Sequence, residues 1–211
     1  MAGAGEQAAG AVDAVVFDLG GVLIDWSPYH LYRKLLPDDE AIAGFLAEID
    51  LYGFLLGVDA DKPFEASVRA LARRHPERAD LVNAFWDRWP ETLRGEIAGS
   101  VALVEALKAA GHPLYVISNW SAETWHHGRR FNFLEHFDGL VISGQEGIIK
   151  PDPRIFEIAC TRFALTPGRS LFIDDNAANV QAAASLGFHT HHFRDPATLR
   201  EALVDLGLLA A

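Results

Sequence analysis

Apolar positions along this chain fall into two regimes. Residues 14–17 (AVVF) are a short apolar run that ends at Asp18 and is followed by Leu19, Gly20 and Gly21, the pattern of a buried strand entering a sharp turn. Ser27 can then cap a helix starting at Pro28, whose missing N–H and preset φ suit the first helical position. From there to about residue 95 apolar residues recur at helical spacing, through AIAGFLAEI, PFEASVRALARR and RADLVNAFWDRW, and no strand is expected. SVALVEALKAAG reads as a helix stopped by Gly111. Beyond residue 113 the regime changes to alternation: PLYVIS, a helical stretch from Ala122, GLVIS, a helix over 153–163, SLFID, a helix over 176–186, and FHTHHF.

The strands of this second regime lack apolar–polar alternation, as parallel strands covered on both faces do. The expected fold is therefore α/β, a doubly wound parallel sheet with a helical cap inserted after the first strand. The core takes residues 11–26 and 96–211, the cap takes 27–95, and residues 1–10 (MAGAGEQAAG) read as a disordered leader. In such sheets ligands gather at the carboxyl ends of the strands, near the reversal of strand order. Asp18, Ser118 with Asn119, and Asp174 with Asp175 stand at strand ends, and Lys150 lies in the loop after GLVIS. Any one of them has a simpler reading: Asp18 or Ser118 as a cap, Lys150 as a solvated surface group. Compatible chemistry at several strand ends points instead to a site on one edge.

Composition narrows the partners. Half of the 211 residues are apolar and 22% are charged, ordinary for a globular chain able to bury a full core. A net charge of −11, from 18 Lys and Arg against 29 Asp and Glu, argues against nucleic acid and anionic membranes as partners. An anionic ligand needs locally concentrated positive charge. The single cysteine, Cys160, occupies an apolar helical position and reads as a core thiol, and no disulfide within the chain is possible. The first residues lack the basic start and apolar centre of a secretory signal, and no run approaches a membrane span, so a cytoplasmic protein is expected.

The segments FDLGGVL, ISNW, KPDPRIF and FIDDNAANVQAA, in this order and spacing, resemble the motifs of the haloacid dehalogenase superfamily over residues 13–207. The resemblance is nearest to its helical-cap phosphatases, in particular bacterial sugar-phosphate (glucose-1-phosphate-type) phosphatases whose first motif also reads Asp-Leu-Gly. It implies a Rossmann-like core and Asp18 as a nucleophile that forms an aspartyl-phosphate later broken by water. Ser118 and the amide of Asn119 would donate to phosphate oxygens, Lys150 would neutralise nucleophile and developing charge, Trp120 would face the ligand, and Asn179 would orient the acidic pair or Lys150. Asp18, Asp174 and Asp175 place three negative charges around one lysine, so a phosphate dianion calls for a counterion. Mg²⁺ suits that set, bound by Asp18, the Gly20 carbonyl, Asp175 and, directly or through water, Asp174. The implied partner is a small phosphorylated metabolite, for a monomer or homodimer.

One departure matters. Most phosphatases of the superfamily carry a second aspartate two residues after the nucleophile to protonate the leaving oxygen, and here that position is Gly20. Losing a general acid costs ~10²–10⁴ in rate for poor leaving groups, which biases the substrate toward anomeric sugar, aryl or acyl phosphates. Asp25 and His30 are candidate substitutes, though each also has a structural reading at the start of the capped helix. Cap aromatics Phe54, Trp86 and Trp89, with Trp26 at the hinge, sit at spacings that suit a core as well as a ligand wall. His126 with His127 and the run from His189 to His192 do not form an expected metal site, because a strand sends His191 and His192 to opposite faces. Two alternatives stand: a metal-independent 2-haloacid dehalogenase, against which the acidic pair argues, and a binding module with a decayed site.

Overall fold

The AVVF run forms strand β1 (Ala14–Phe17), buried throughout, in a computed structural model that describes residues 11–210. The expected leader, residues 1–10, lies outside the described residues. After the glycine turn come β2 (Ile24–Trp26) and α1 (Pro28–Tyr32), where the Ser27 hydroxyl accepts from the Tyr29 amide and Pro28 takes the first helical position, as expected. Helices α2 (Asp39–Glu48), α3 (Leu51–Val58), α4 (Phe64–Arg74) and α5 (Ala79–Asp87) follow. Together they enclose a hydrophobic cluster of their own, with Tyr32, Phe45, Phe64, Phe85 and Trp89 at its centre.

The expectation of no strand between residue 28 and about residue 95 is corrected by β3 (Leu93–Glu96), which pairs antiparallel with β2 in a two-stranded ribbon at the neck of this helical insertion. LRGE has no apolar run to announce a strand; its order comes from its partner, through the register Ile24↔Glu96 and Trp26↔Leu93. The ribbon carries the chain out of the sheet and back.

Then come α6 (Ala98–Ala109), β4 (Leu114–Ser118), α7 (Trp125–Gly128), β5 (Gly139–Ile142), α8 (Ser143–Glu146), α9 (Pro153–Phe163), β6 (Ser170–Asp174), α10 (Ala177–Ser185), β7 (His189–His192) and α11 (Pro196–Asp205). The helical stretch expected from Ala122 is shorter than its pattern: only Trp125–Gly128 is α-helical, and a 3₁₀ turn spans Asn132–His136. Gly128 packs with its Cα against the Trp125 and Trp120 rings, a contact that leaves no room for a Cβ.

Among the described residues the sheet has five parallel strands in the order β5-β4-β1-β6-β7. From β1 the chain first builds outward to β5 and then returns to build the other side, so strand order reverses about β1. Val15 and Phe17 face a cluster with α6 and α11, while Val16 faces one with α9 and α10. Both faces of β1 are therefore apolar, which is why its sequence does not alternate. No single described helix is long and apolar enough to cross a membrane. Cys160 is half-buried against the α9–α10 face, where burial pushes its thiol up.

Phe64 is fully buried and meets Phe85, Trp86 and Trp89 edge to face. Phe64→Ala should cost roughly 3–5 kcal/mol of stability, measured by urea unfolding.

Candidate active site

Asp18 leaves β1 still in register with its neighbour, its amide donating to the Ile173 carbonyl. Its carboxyl Oδ1 accepts from the Leu19 amide at 2.7 Å and the Ser118 hydroxyl at 2.8 Å, and lies 3.0 Å from Lys150 Nζ. Lys150 Nζ also reaches Asp174 Oδ2 at 2.6 Å, so one ammonium joins the ends of β1 and β6. Asp174 is completely buried and is further held by the Asn176 amide and, on both oxygens, by the Asn179 side chain. Asn119 uses its side chain on the Lys150 backbone, donating to the carbonyl at 2.9 Å and accepting from the amide at 2.8 Å.

Burial alone would push the Lys150 ammonium down, but Asp174 and Asp18 outweigh it and hold the group above its ordinary value. For Asp18 burial wins, pushing the carboxyl up to about 7; Lys150 opposes the rise, Asp174 and Asp175 add to it, and the Ser118 hydrogen bond lowers it. Asp175 is also raised, first by burial and then by Asp174. Its carboxylate lies over Gly21, at φ +73°, where a Cβ would collide with it. Oxygens of Asp18, Asp174 and Asp175 all lie within 4.8 Å of one another. Three carboxylates against one buried ammonium form an oxygen-rich, net-negative cluster that fits a small hard divalent cation.

The cluster opens into a cavity of ≈ 620 Å³ between the sheet edge and the helical insertion. Asp18, Gly20, Asn119, Asp175 and Asn179 line its polar floor. Trp26, Tyr52, Leu55, Leu56, Trp89 and Trp120 form an apolar wall. Trp120 reaches the cavity while packed as a core residue, its indole N–H donating to Thr124 and its ring edge-on to Trp125. Of the other candidates, Asp25 and His30 bind each other at 2.8 Å and neither lines the cavity. Phe54 and Trp86 belong to the insertion's own cluster. His126 packs at a tilt against His127 and bonds the Glu123 carbonyl, while His192 bonds the Asp175 carbonyl; the acidic trio is the metal-compatible cluster among the described residues.

Two features escape the sequence reading. The Asn119 clamp on the Lys150 peptide has no local pattern. Asp59, directly after α3, lines the cavity from the insertion side. Burial pushes its carboxyl up to about 7; the Ser121 backbone pulls the other way and the Asp18 charge adds to the rise.

Residues 12–187 match the haloacid dehalogenase-like hydrolases. A mouse acyl-CoA dehydrogenase family member 10 is 28% identical over 88% of this chain, and a Pseudomonas (S)-2-haloacid dehalogenase is 33% identical over 54%. The chain spans only 18% and 50% of the length of those two relatives. A phosphorylated carbohydrates phosphatase of Thermotoga maritima is 27% identical, covering 90% of this chain and 91% of its own. Among solved structures, a predicted HAD-like family hydrolase of Porphyromonas gingivalis superposes with a TM-score of 0.68 at 25% identity, covering 92% of this chain and 98% of its own.

Asp59 in the folded chain holds its proton up to about pH 7, against 3.8 for an ordinary aspartate. The folded state thus binds the proton more tightly; its penalty is absent below about pH 4, grows as pH rises, and is complete above about pH 7. Asp59→Asn should raise the unfolding midpoint at pH 8, by up to roughly 4 kcal/mol in free energy, and leave it nearly unchanged at pH 4. Calorimetry at both pH values measures the difference.

Proposed function

Because the chain belongs to the haloacid dehalogenase-like hydrolase family, we propose that it is a Mg²⁺-dependent phosphatase of a small phosphorylated metabolite, with Asp18 as nucleophile. One observation carries the proposal: the carboxyl that meets Ser118 and Lys150 also lies within 4.8 Å of two further carboxylates. When bound by Asp18, the Gly20 carbonyl and Asp175, with Asp174 directly or through water, Mg²⁺ supplies the charge that balances carboxylates and phosphate together.

The chain's own residues divide the remaining work. Asp18 attacks phosphorus and becomes an aspartyl-phosphate, and water then attacks that phosphorus to release inorganic phosphate and free Asp18. Lys150 faces charge on the nucleophile and on the phosphoryl oxygens, and Asp174, Asn179 and Asn119 fix where it stands. Ser118, now donating to Asp18, can turn its hydroxyl to a phosphoryl oxygen alongside the Asn119 amide. We read residues 27–95 as a lid over a core of 11–26 and 96–211. Its contribution to the cavity is largely apolar, with Tyr52 and Leu56 more than half exposed there. A phosphate ester with an apolar or flat body suits that wall better than a second anionic group.

The same charge pattern weighs against 2-haloacid hydrolysis, despite the Pseudomonas dehalogenase relative. The described cavity-lining residues include Asp18, Asp59 and Asp175 but no Lys, Arg or His, so a free substrate carboxylate meets acids and no exposed cation.

With Mg²⁺ the chain should release phosphate from aryl and anomeric sugar phosphates. EDTA should remove the activity, and Asp18→Asn should lower kcat by at least ~10⁴. Metal-independent chloride release from 2-chloropropionate without phosphate release would overturn the proposal.

A further inference from the structure

We propose that Asp59, reaching in from the helical insertion, is the proton donor to the leaving oxygen in this site. The proposal rests on the phosphatase reading above. Expelling an alkoxide from phosphorus needs a proton, and supplying it is worth ~10²–10⁴ in rate. The turn after Asp18 offers none: Gly20 has no side chain, and a Cβ there would meet nothing within 4 Å. The carboxyls lining the cavity are Asp18, Asp175 and Asp59. Asp18 is the nucleophile and Asp175 belongs to the cluster that holds the counterion. Asp59 remains, and no described cation pairs with it.

Its placement suits the role. Attack and departure at phosphorus are roughly in line, so a leaving oxygen opposite Asp18 points away from the sheet edge and toward the insertion. Asp59 stands on that wall. Its main-chain carbonyl accepts from the Ser143 hydroxyl at 2.5 Å, and that hydroxyl accepts from the Trp120 amide at 2.9 Å. The insertion is thereby tied to the core one residue from Asn119 through the Asp59 main chain, and the Asp59 carboxyl takes a backbone hydrogen bond from Ser121 while lining the cavity. The charged groups around it in the cavity are Asp18 and Asp175, both acids, and burial keeps its carboxyl proton available up to about pH 7.

The step balances. As the Asp18 carboxylate forms its bond to phosphorus and the ester P–O bond breaks, the Asp59 proton passes to the departing oxygen to give a neutral alcohol and an Asp59 carboxylate. That carboxylate then takes a proton from the water that attacks the aspartyl-phosphate, which returns both residues to their starting forms.

The test compares a primary alkyl phosphate, which needs the proton, with p-nitrophenyl phosphate, whose leaving group does not. Asp59→Asn leaves the main-chain tie intact and should lower kcat at least ~10²-fold on the alkyl ester but less than about tenfold on the aryl ester. Adding Gly20→Asp to Asp59→Asn should restore much of the alkyl activity, a recovery that a purely structural role for Asp59 does not give. Equal losses on both esters, or no loss on the alkyl ester, overturn the proposal. If Asp59→Asn does not fold, as judged by circular dichroism, Asp59→Ala carries the same comparison. No phosphate from either ester with the unaltered chain instead overturns the phosphatase reading, and this proposal with it.

Discussion

Everything at the sheet edge depends on one fully buried ammonium held between two carboxylates. Taking Lys150 out of water costs several kcal/mol, repaid only if its partners are close and fixed. Asp174 at 2.6 Å and Asp18 at 3.0 Å are close. Asn179 and the Asn176 amide fix Asp174, Asn119 fixes the Lys150 backbone, and the Phe172 ring lies 5.5 Å under the ammonium. Removing the ammonium would leave both buried carboxylates without their shared cation, a loss of about 3–5 kcal/mol by comparison with other buried pairs. The ion pair thus binds the two halves of the sheet together at the point where strand order reverses.

Such a clamp would normally satisfy a carboxylate and quiet it. Here the neighbouring acids prevent that. Asp18 shares its lysine with Asp174 and faces Asp175, so burial and like charge together outweigh Lys150 and keep the carboxyl well above its ordinary value. The site is preorganised in position while remaining short of positive charge. That combination suits a centre that receives its last cation and its anionic substrate together.

Much of this was legible in the chain. AVVF followed by an aspartate and two glycines marks β1 and its turn, Ser27-Pro28 marks the start of α1, and α9 runs over the residues its pattern predicts. Lys150, Ser118, Asp174 and Asp175 meet Asp18 because parallel strands deliver their carboxyl ends to one edge, a rule that needs no contact information. What the sequence hid was non-local. The β2–β3 ribbon exists only through pairing across the whole insertion, and LRGE alone carries no strand pattern. Asp25 and His30, candidates by proximity to the first strand, satisfy each other instead. Asp59, in the stretch DADKP, reads as a solvated turn after a helix. Only the packing of the insertion on the core places it on the wall of the cavity that Asp18 also lines.

The Ser143 hydroxyl, wholly buried between the Trp120 amide and the Asp59 carbonyl, has a mechanical consequence. It works as a latch whose release strands polar groups on both sides at once, at a cost of about 1–3 kcal/mol for each group left without a partner or water. The bond thus resists any separation of the insertion from the core. The Trp120 peptide that anchors this hydroxyl follows Asn119, whose side chain clamps the Lys150 backbone, so the contact with the insertion and the seat of the lysine meet at two adjacent residues.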